Sequence, residues 1–146
     1  AISLAISNMS QGGGPFGAVI VKDGKVIGEG VNRVTEGNDP TAHAEIEAIR
    51  NAAQALGDFN LSGCTIYASC EPCPMCLGAI YWSRLEAVCY SSDRYEAESA
   101  GFDDSFIYDE FSKPADERML KQVQLVPEQG AEVFRKWNVL ENKTPY

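Results

Sequence analysis

Residues 64–91, CTIYASCEPCPMCLGAIYWSRLEAVCYS, decide the fold of this chain. Residues 64–69 and 86–91 are rich in small, β-branched and aromatic residues and are typical of strands. Pro74 opens a helix between them, because proline suits the first turn of a helix. A strand, a crossover helix and a second strand form one sheet with helical cover. This stretch therefore predicts an α/β fold.

The elements on both sides extend this unit to a larger sheet. Further predicted elements are a helix over residues 1–8, strands over 16–22 and 25–31, a helix over 42–56, a short helix over 94–100, a fifth strand over 121–126 and a closing helix over 127–139. Asp23-Gly24 is a strong signal for a hairpin turn between the first two strands. The order predicts a three-layer α/β/α domain with a mixed five-stranded sheet and helices on both faces.

Length and composition indicate one globular domain over residues 1–146. Of the 146 residues, 45% are hydrophobic and 23% are charged, which argues against disorder. The chain opens at Ala1 without an initiator Met, so we expect the natural N-terminus to have been trimmed. No run of 18 apolar residues predicts a membrane span.

The charge balance excludes some partners. The net charge is −9, with 12 basic and 21 acidic residues, and acidic residues outnumber basic ones in both parts of the chain, before and after residue 92. Such a domain is a poor electrostatic partner for nucleic acid or for an anionic membrane. Five cysteines, an odd number, fall within residues 64–89. They favour a cytoplasmic protein with thiols in a metal or redox role over a secreted disulfide framework.

Two predicted helix starts carry residues that can bind a metal. His43, the only histidine, begins the helix over 42–56, and Glu45 follows in the same first turn, where both side chains can project past the helix end. Cys73 and Cys76 begin the next helix three residues apart, so their sulfurs face the same way. The helix N-terminus favours their thiolates.

These two helix starts can converge on one zinc ion per chain. One imidazole and two thiolates supply three ligands and leave a fourth position for water, as in catalytic zinc sites. Glu45 beside that water can accept and pass on its proton. The alternatives are a redox CxxC pair, a structural zinc site completed by Cys70 or Cys89, and an ordinary capping or core role for the histidine. The combined H-x-E and P-C-x-x-C pattern is that of zinc base deaminases.

The sequence resembles the cytidine deaminase superfamily and, within it, the small bacterial guanine deaminases. The resemblance lies in GGPFGAVIVKDG (13–24), NDPTAHAEIEAIR (38–50), SCEPCPMCLGAIYW (69–82) and GFDDSFIY (101–108), and it continues to Tyr146. The second and third blocks are shared with tRNA adenosine deaminases and cytosine deaminases. The fourth block and the terminal tyrosine point to guanine deaminases.

The resemblance implies a role for each of ten residues. The implied roles are zinc binding for His43, Cys73 and Cys76, proton transfer for Glu45, assistance to the leaving amino group for Asp104, a purine hydrogen bond for Asn32, a backbone contact for Ala44, and pocket walls for Phe16, Trp82 and Tyr146. The alternatives without a role in catalysis are a solvated acidic turn at Asp103 and Asp104, a core position for Phe16 and an interface position for Trp82. The GGGPFG loop lacks a following GK[ST], which disfavours a phosphate-binding role.

The implied reaction is hydrolytic deamination of guanine to xanthine and ammonia, with zinc-activated water and a glutamate proton shuttle. The expected partner is a small purine base, with no nucleic acid and no membrane. The resemblance also implies a homodimer in which the C-terminal segment is exchanged between subunits. Deamination of guanosine, cytosine, an aminotriazine or tRNA adenosine, and a non-catalytic zinc module, stay open as alternatives.

Overall fold

The computed structural model describes every residue from Ala1 to Tyr146. Its elements are α1 (Ile2–Ser10), β1 (Gly17–Lys22), β2 (Lys25–Val31), α2 (Val34–Gly37), α3 (Ala44–Leu56), β3 (Cys64–Cys70), α4 (Pro74–Trp82), β4 (Ala87–Ser92), α5 (Arg94–Ser99), α6 (Ser105–Ser112), a 3₁₀ turn (Ala115–Glu117) and α7 (Pro127–Asn138). All elements predicted before residue 101 are present. The short α2, α6 and the 3₁₀ turn were not predicted.

The four strands form a mixed sheet in the order β2-β1-β3-β4. β1 is antiparallel to β2 and β3, and β3 is parallel to β4 across the α4 crossover. At the hairpin, Asp23 and Gly24 have φ angles of 49° and 74°. Positive φ at both positions matches the twist of the flanking strands. The predicted α/β class and the mixed sheet are confirmed.

The prediction of a fifth strand over residues 121–126 is wrong. These residues have no regular secondary structure, and all six are exposed. Alternation specifies a strand only where one set of side chains is buried against another layer. Here neither set is buried, so the alternating KQVQLV pattern has no packing to support it, and the sheet has four strands.

Helix α3 covers one face of the sheet. Ala18 and Ile20 of β1 pair with Gly30 and Gly28 of β2, so the four residues share a face. A Cβ atom on Gly28 would lie 2.6 Å from the carbonyl oxygen of Ala48, and a Cβ atom on Gly30 would overlap the backbone of α3. The two glycines therefore let α3 approach β2 closely, which places the start of α3 over the end of that strand.

Helix α1 covers the opposite face. Ala18 faces α3, so the preceding residue, Gly17, faces the other side of the sheet. A Cβ atom on Gly17 would lie 2.8 Å from the backbone nitrogen of Ala5 in α1. The main core lies between α3 and the sheet, where Ile20, Ile66 and Leu61 are fully buried. Burying a side chain of this size contributes about 1.5–3 kcal/mol to the free energy of unfolding.

The chain divides into two compact units, residues 1–107 and residues 108–146. The first unit contains the sheet and its helices, and the second contains the 3₁₀ turn and α7. A single domain over 1–146, with exchange of the C-terminal segment, stays a prediction. No helix has the length and apolarity needed to cross a membrane.

Candidate active site

His43 and Cys73 are both N-cap residues. His43 precedes α3 and Cys73 precedes α4, each with an extended backbone, with ψ angles of 157° and 168°. Pro74 takes the first position of α4, where its missing N–H leaves no hydrogen bond unmade. An N-cap side chain can project beyond the helix end, so the two helix starts can present His43 and Cys73 to one point.

Three metal-binding atoms meet at these helix ends. The Sγ atoms of Cys73 and Cys76 each lie 3.6 Å from Nδ1 of His43. All three atoms lie within 4.8 Å of one another. Zinc–ligand bonds of about 2.0–2.3 Å in a tetrahedron place neighbouring ligand atoms about 3.5–3.8 Å apart. The spacing and the nitrogen–sulfur donor set therefore fit zinc.

The cluster contains no fourth protein ligand. Neither Cys70 nor Cys89 belongs to it. The Cys70 thiol instead donates to the carbonyl oxygen of Asp93 at 3.5 Å, and Cys89 is exposed. A structural zinc site is closed by four protein ligands, whereas a catalytic site has three and keeps one position open. The arrangement favours the catalytic type.

Glu45 lies beside the cluster without belonging to it. Its side chain is buried, with 7% of the residue exposed, and its Oε2 lies 3.4 Å from Sγ of Cys76. Burial raises the pKa of Glu45. A carboxyl group with a raised pKa exchanges protons more readily near neutral pH, which suits a general acid and base.

The three side chains of the cluster hold protons with unequal affinity. The hydrogen bond with Cys76 lowers the pKa of Cys73 to about 4, and the same contact together with burial raises the pKa of Cys76. The hydrogen bond with Cys73 raises the pKa of His43. Because zinc binds thiolates and neutral imidazole, zinc binding releases protons from this cluster.

A cavity of about 560 Å³ opens onto the cluster. This volume is typical of a small-molecule site. Six of the predicted site residues line it, namely Phe16, Asn32, His43, Glu45, Cys73 and Asp104. The fold therefore brings a candidate metal site, a proton carrier and polar and aromatic groups to a single cavity within residues 1–107.

Asp103 and Asp104 have different surroundings. Oδ1 of Asp103 accepts the backbone N–H of Ser105 at 3.0 Å at the start of α6. Oδ1 of Asp104 is buried and has no hydrogen-bond partner. Burial also raises the pKa of Asp104. The unpaired oxygen at the cavity wall can accept a hydrogen bond from an N–H group of a bound molecule.

Phe16 and Phe102 form an aromatic wall. Their ring centroids are 4.9 Å apart and their planes meet at 86°, an edge-to-face pair. Phe16 also packs against the hydrophobic core. Both rings line the cavity, so the core position and the pocket-wall position that the sequence offered for Phe16 are compatible.

Besides Cys76 of the metal cluster, three predicted site residues lie outside the cavity lining. Ala44 is the buried first residue of α3, between His43 and Glu45. Trp82 ends α4 and is 64% exposed, and Tyr146 lies in the second unit and is 76% exposed. Their roles toward substrate stay predictions.

Several residues near the cavity, Phe102, Arg94 and Asn8 among them, were not predicted. Phe102 and Arg94 line it, and Asn8 of α1 donates hydrogen bonds to the backbone at its edge. Phe102 stands in the quoted GFDD block, which could have suggested it. For Asn8, the only signal was an amide residue a few positions before a run of three glycines.

The family of cytidine and deoxycytidylate deaminase zinc-binding regions matches residues 1–92. The chain belongs to this family. It is a zinc-dependent deaminase, and its three-residue cluster is consistent with one zinc ion per chain.

Family members with different named activities resemble the chain to different extents. A guanine deaminase of Bacillus subtilis is 54% identical over 147 residues, covering 100% of this chain and 94% of the relative. A tRNA-specific adenosine deaminase of Haemophilus influenzae is 41% identical over 102 residues, covering 69% of this chain and 59% of the relative.

Solved structures of two guanine deaminases also resemble the chain. The X-ray structure of the Bacillus subtilis guanine deaminase matches with a TM-score of 0.97, covering 100% of this chain and 94% of that one. A guanine deaminase from Nitrosomonas europaea matches with a TM-score of 0.69 at 28% identity, covering 95% of this chain and 81% of that one. The family fold is therefore shown for the whole chain.

Proposed function

We propose that this protein deaminates guanine, with water, to xanthine and ammonia. The observation that carries the proposal is the 54% identity to a guanine deaminase across the full chain. The family region ends at residue 92. Asp104 lies beyond this region, in a part of the chain that the guanine deaminase shares.

His43, Cys73 and Cys76 are the residues that would hold zinc. When bound, zinc supplies Lewis acidity that lowers the pKa of water and favours a nucleophile at neutral pH. The N-cap positions of His43 and Cys73 aim their side chains away from the helix backbones. The two helix starts thereby hold the ligands in place before substrate arrives.

Glu45 is the proton carrier of the proposed reaction. It accepts the proton of the attacking water, whose oxygen forms a bond to C2 of guanine, and delivers that proton to ring N3. The proton of the added hydroxyl group then passes through Glu45 to the amino group, the bond between C2 and that nitrogen breaks as the C2 carbonyl group forms, and ammonia leaves. The burial that raises its pKa makes Glu45 able to hold the proton between these transfers.

Asp104 and Asn32 orient the purine. The buried Oδ1 of Asp104 accepts a hydrogen bond from the amino group that leaves. Asn32, at the end of β2, hydrogen-bonds the purine edge, and Phe16 and Phe102 contact its flat faces or edges. The backbone N–H of Ala44 binds a ring heteroatom. Adenine and cytosine lack the same donors and acceptors, and the wrong base leaves buried polar groups unpaired.

The charge of the chain argues against tRNA adenosine deamination as its function. A net charge of −9 opposes binding of a polyanion. Guanosine, cytosine and aminotriazine share the required amino group, so substrate competition must distinguish them.

The test is ammonia release by the purified zinc-loaded protein from guanine, guanosine, cytosine, adenine and an aminotriazine. We expect guanine to give the highest kcat/KM, with little dependence on salt because the substrate is uncharged. The Glu45→Gln protein is the matched control for contaminating activity. Equal turnover of cytosine or adenine would contradict the proposal.

We also infer a homodimer in the cytoplasm. Helix α4 is apolar around its circumference, yet Leu77, Tyr81 and Trp82 are exposed by 36%, 72% and 64%. Apolar residues on all sides are typical of a helix buried by a partner. Five free cysteines suit a reducing compartment. Sedimentation equilibrium tests the dimer, and a monomer at micromolar concentration would contradict it.

A further inference from the structure

Asn8 is a buried polar residue that the proposed chemistry does not use. It belongs to α1, and only 7% of it is exposed. Its side-chain nitrogen Nδ2 donates to the carbonyl oxygen of Gly14 at 2.8 Å and to that of Asn32 at 2.9 Å. Both N–H bonds of the amide are therefore directed to backbone oxygens of two different segments.

Both segments line the active-site cavity. Gly12, Gly13 and Gly14 form the loop between α1 and β1, and Asn32 follows β2. The backbone N–H of Asn32 donates to the carbonyl oxygen of Phe16 at 3.2 Å. The Asn32 peptide groups are thus held on one side by Phe16 and on the other by Asn8.

The glycines make room for this arrangement. A Cβ atom on Gly13 would lie 2.6 Å from Cγ of Asn8, and one on Gly14 would lie 3.0 Å from Oδ1 of Asn32. The N–H of Gly13 also donates to the backbone oxygen of Asn8 at 3.0 Å. The glycine run therefore packs against two side-chain amides, which accounts for a motif that phosphate binding does not explain.

We propose that Asn8 is a positioning residue for substrate recognition, acting through Asn32. By joining the glycine loop to the end of β2, it sets the position from which the Asn32 amide meets the purine. This inference rests on the proposed guanine deamination. Asn8 itself touches backbone and not substrate, so its loss should weaken substrate binding more than the chemical step.

The first test is Asn8→Ala in the zinc-loaded protein. Losing the hydrogen bonds that hold Asn32 should raise the KM for guanine roughly 3- to 10-fold, with kcat within about twofold of the parent. The matched control is Asn51→Ala. Nδ2 of Asn51, in α3, donates to the carbonyl oxygen of Glu29 in β2 at 2.8 Å, and neither residue lines the active-site cavity. Loss of this hydrogen bond should leave KM unchanged. An unchanged KM in Asn8→Ala, or an equal rise in the control, would overturn the proposal.

A double-mutant cycle tests the route through Asn32. If Asn8 acts by placing that amide, Asn8→Ala should have little further effect on KM in an Asn32→Ala protein. Independent effects that simply add would refute the route.

Gly13→Ala provides a variant that keeps the Asn8 side chain. The added methyl group displaces the Asn8 amide and should raise KM as Asn8→Ala does. In an Asn8→Ala protein the overlap is absent, so Gly13→Ala should raise KM little further. A normal KM in Gly13→Ala with an ordered Asn8 would count against the proposal.

Hydrogen exchange tests the positioning without substrate. In Asn8→Ala, backbone exchange should increase in residues 12–16 and 32–34 and stay at parental levels in β3, and no change in the first two segments would refute the positioning role. Guanine turnover by the parent protein is measured separately, so failure of the proposed function appears in the parent and failure of this inference appears in the exchange pattern.

Discussion

Glu45 and Asp104 are carboxylates on the same cavity with different neighbours. Glu45 lies 3.4 Å from a cysteine of the metal cluster, whereas Oδ1 of Asp104 has no hydrogen-bond partner. Burial raises the pKa of both. In the proposed reaction, the first would move protons beside the zinc, and the second would accept a hydrogen bond from substrate.

Glu45→Gln should retain zinc and the fold but lose the proton carrier. We expect kcat to decrease by roughly 10²–10⁴-fold or more, the usual contribution of general acid–base catalysis. Metal analysis and steady-state kinetics at saturating guanine measure the two properties. Loss of zinc from the variant would instead identify Glu45 as a ligand.

Asp104→Ala should lower guanine turnover without destabilising the protein. Losing a hydrogen bond to a charged group should reduce kcat/KM by roughly 10- to 100-fold. The free energy of unfolding should stay equal or increase, because a buried oxygen without a partner is removed. Ammonia release and urea denaturation provide the two readouts.

Asp103→Ala is the comparison for that variant. The Asp103 carboxylate accepts the backbone N–H of Ser105, the first residue of α6, so its removal should lower the free energy of unfolding by about 0.5–1.5 kcal/mol. It should affect kcat/KM less than Asp104→Ala does. The reverse ranking would show that the two carboxylates had been assigned the wrong way round.

At the scale of elements, the contact between α3 and β2 positions the start of α3. Gly30→Ala places a methyl group against the backbone of α3 next to Ala44. We expect the free energy of unfolding to decrease by about 1–3 kcal/mol through overpacking, with weaker zinc binding because His43 shifts. Urea denaturation and zinc titration measure these effects. Gly37→Ala, whose Cβ would meet its nearest neighbour at 3.9 Å, should leave both unchanged.

Elements with a strong local sequence signal could be predicted, whereas α2, α6 and the 3₁₀ turn could not. The Asp23-Gly24 dipeptide marks the hairpin turn, and the H-x-E and P-C-x-x-C motifs mark the starts of α3 and α4. The hairpin and both helix starts are therefore where the sequence predicted them. Residues 121–126 alternate but are exposed on both sides, and α6 lies in a segment without clear periodicity.

Long-range contacts within the site could not be predicted from the sequence either. The Phe16–Phe102 pair and the hydrogen bond from Asn8 to Asn32 join segments far apart in the chain, through contacts that have no spacing rule. The candidate metal cluster could be predicted because Cys73 and Cys76 stand at one helix start and His43 at another, each within a characteristic motif.

For the whole molecule, the C-terminal residues should matter for activity. Deleting residues 140–146 should preserve zinc binding and folding but lower kcat/KM for guanine roughly 10-fold or more, because a closed site strengthens polar contacts. Tyr146→Ala should reproduce most of the loss and Tyr146→Phe little of it. Unchanged guanine kinetics after the deletion would show that the tail has no role.

A mixture of two proteins of reduced activity tests exchange of the tail. One partner lacks residues 140–146, and the other carries Glu45→Gln with an intact tail. If tails cross between subunits, mixed dimers combine an intact Glu45 with a donated tail and recover activity. A mixture no more active than its two components, after subunit exchange has been verified, would contradict the swap.

Because the metal-binding residues lie at two helix starts, bound zinc would also crosslink the start of α3 to the start of α4. His43 and Cys73 are 30 positions apart in the chain and lie on separate helices. A bond that closes a loop of this length restricts the unfolded chain and is worth about 3–4 kcal/mol in loop-closure entropy by the disulfide analogy. Cells short of zinc would then hold a protein that is more easily unfolded and degraded, so its abundance as well as its activity would follow zinc supply.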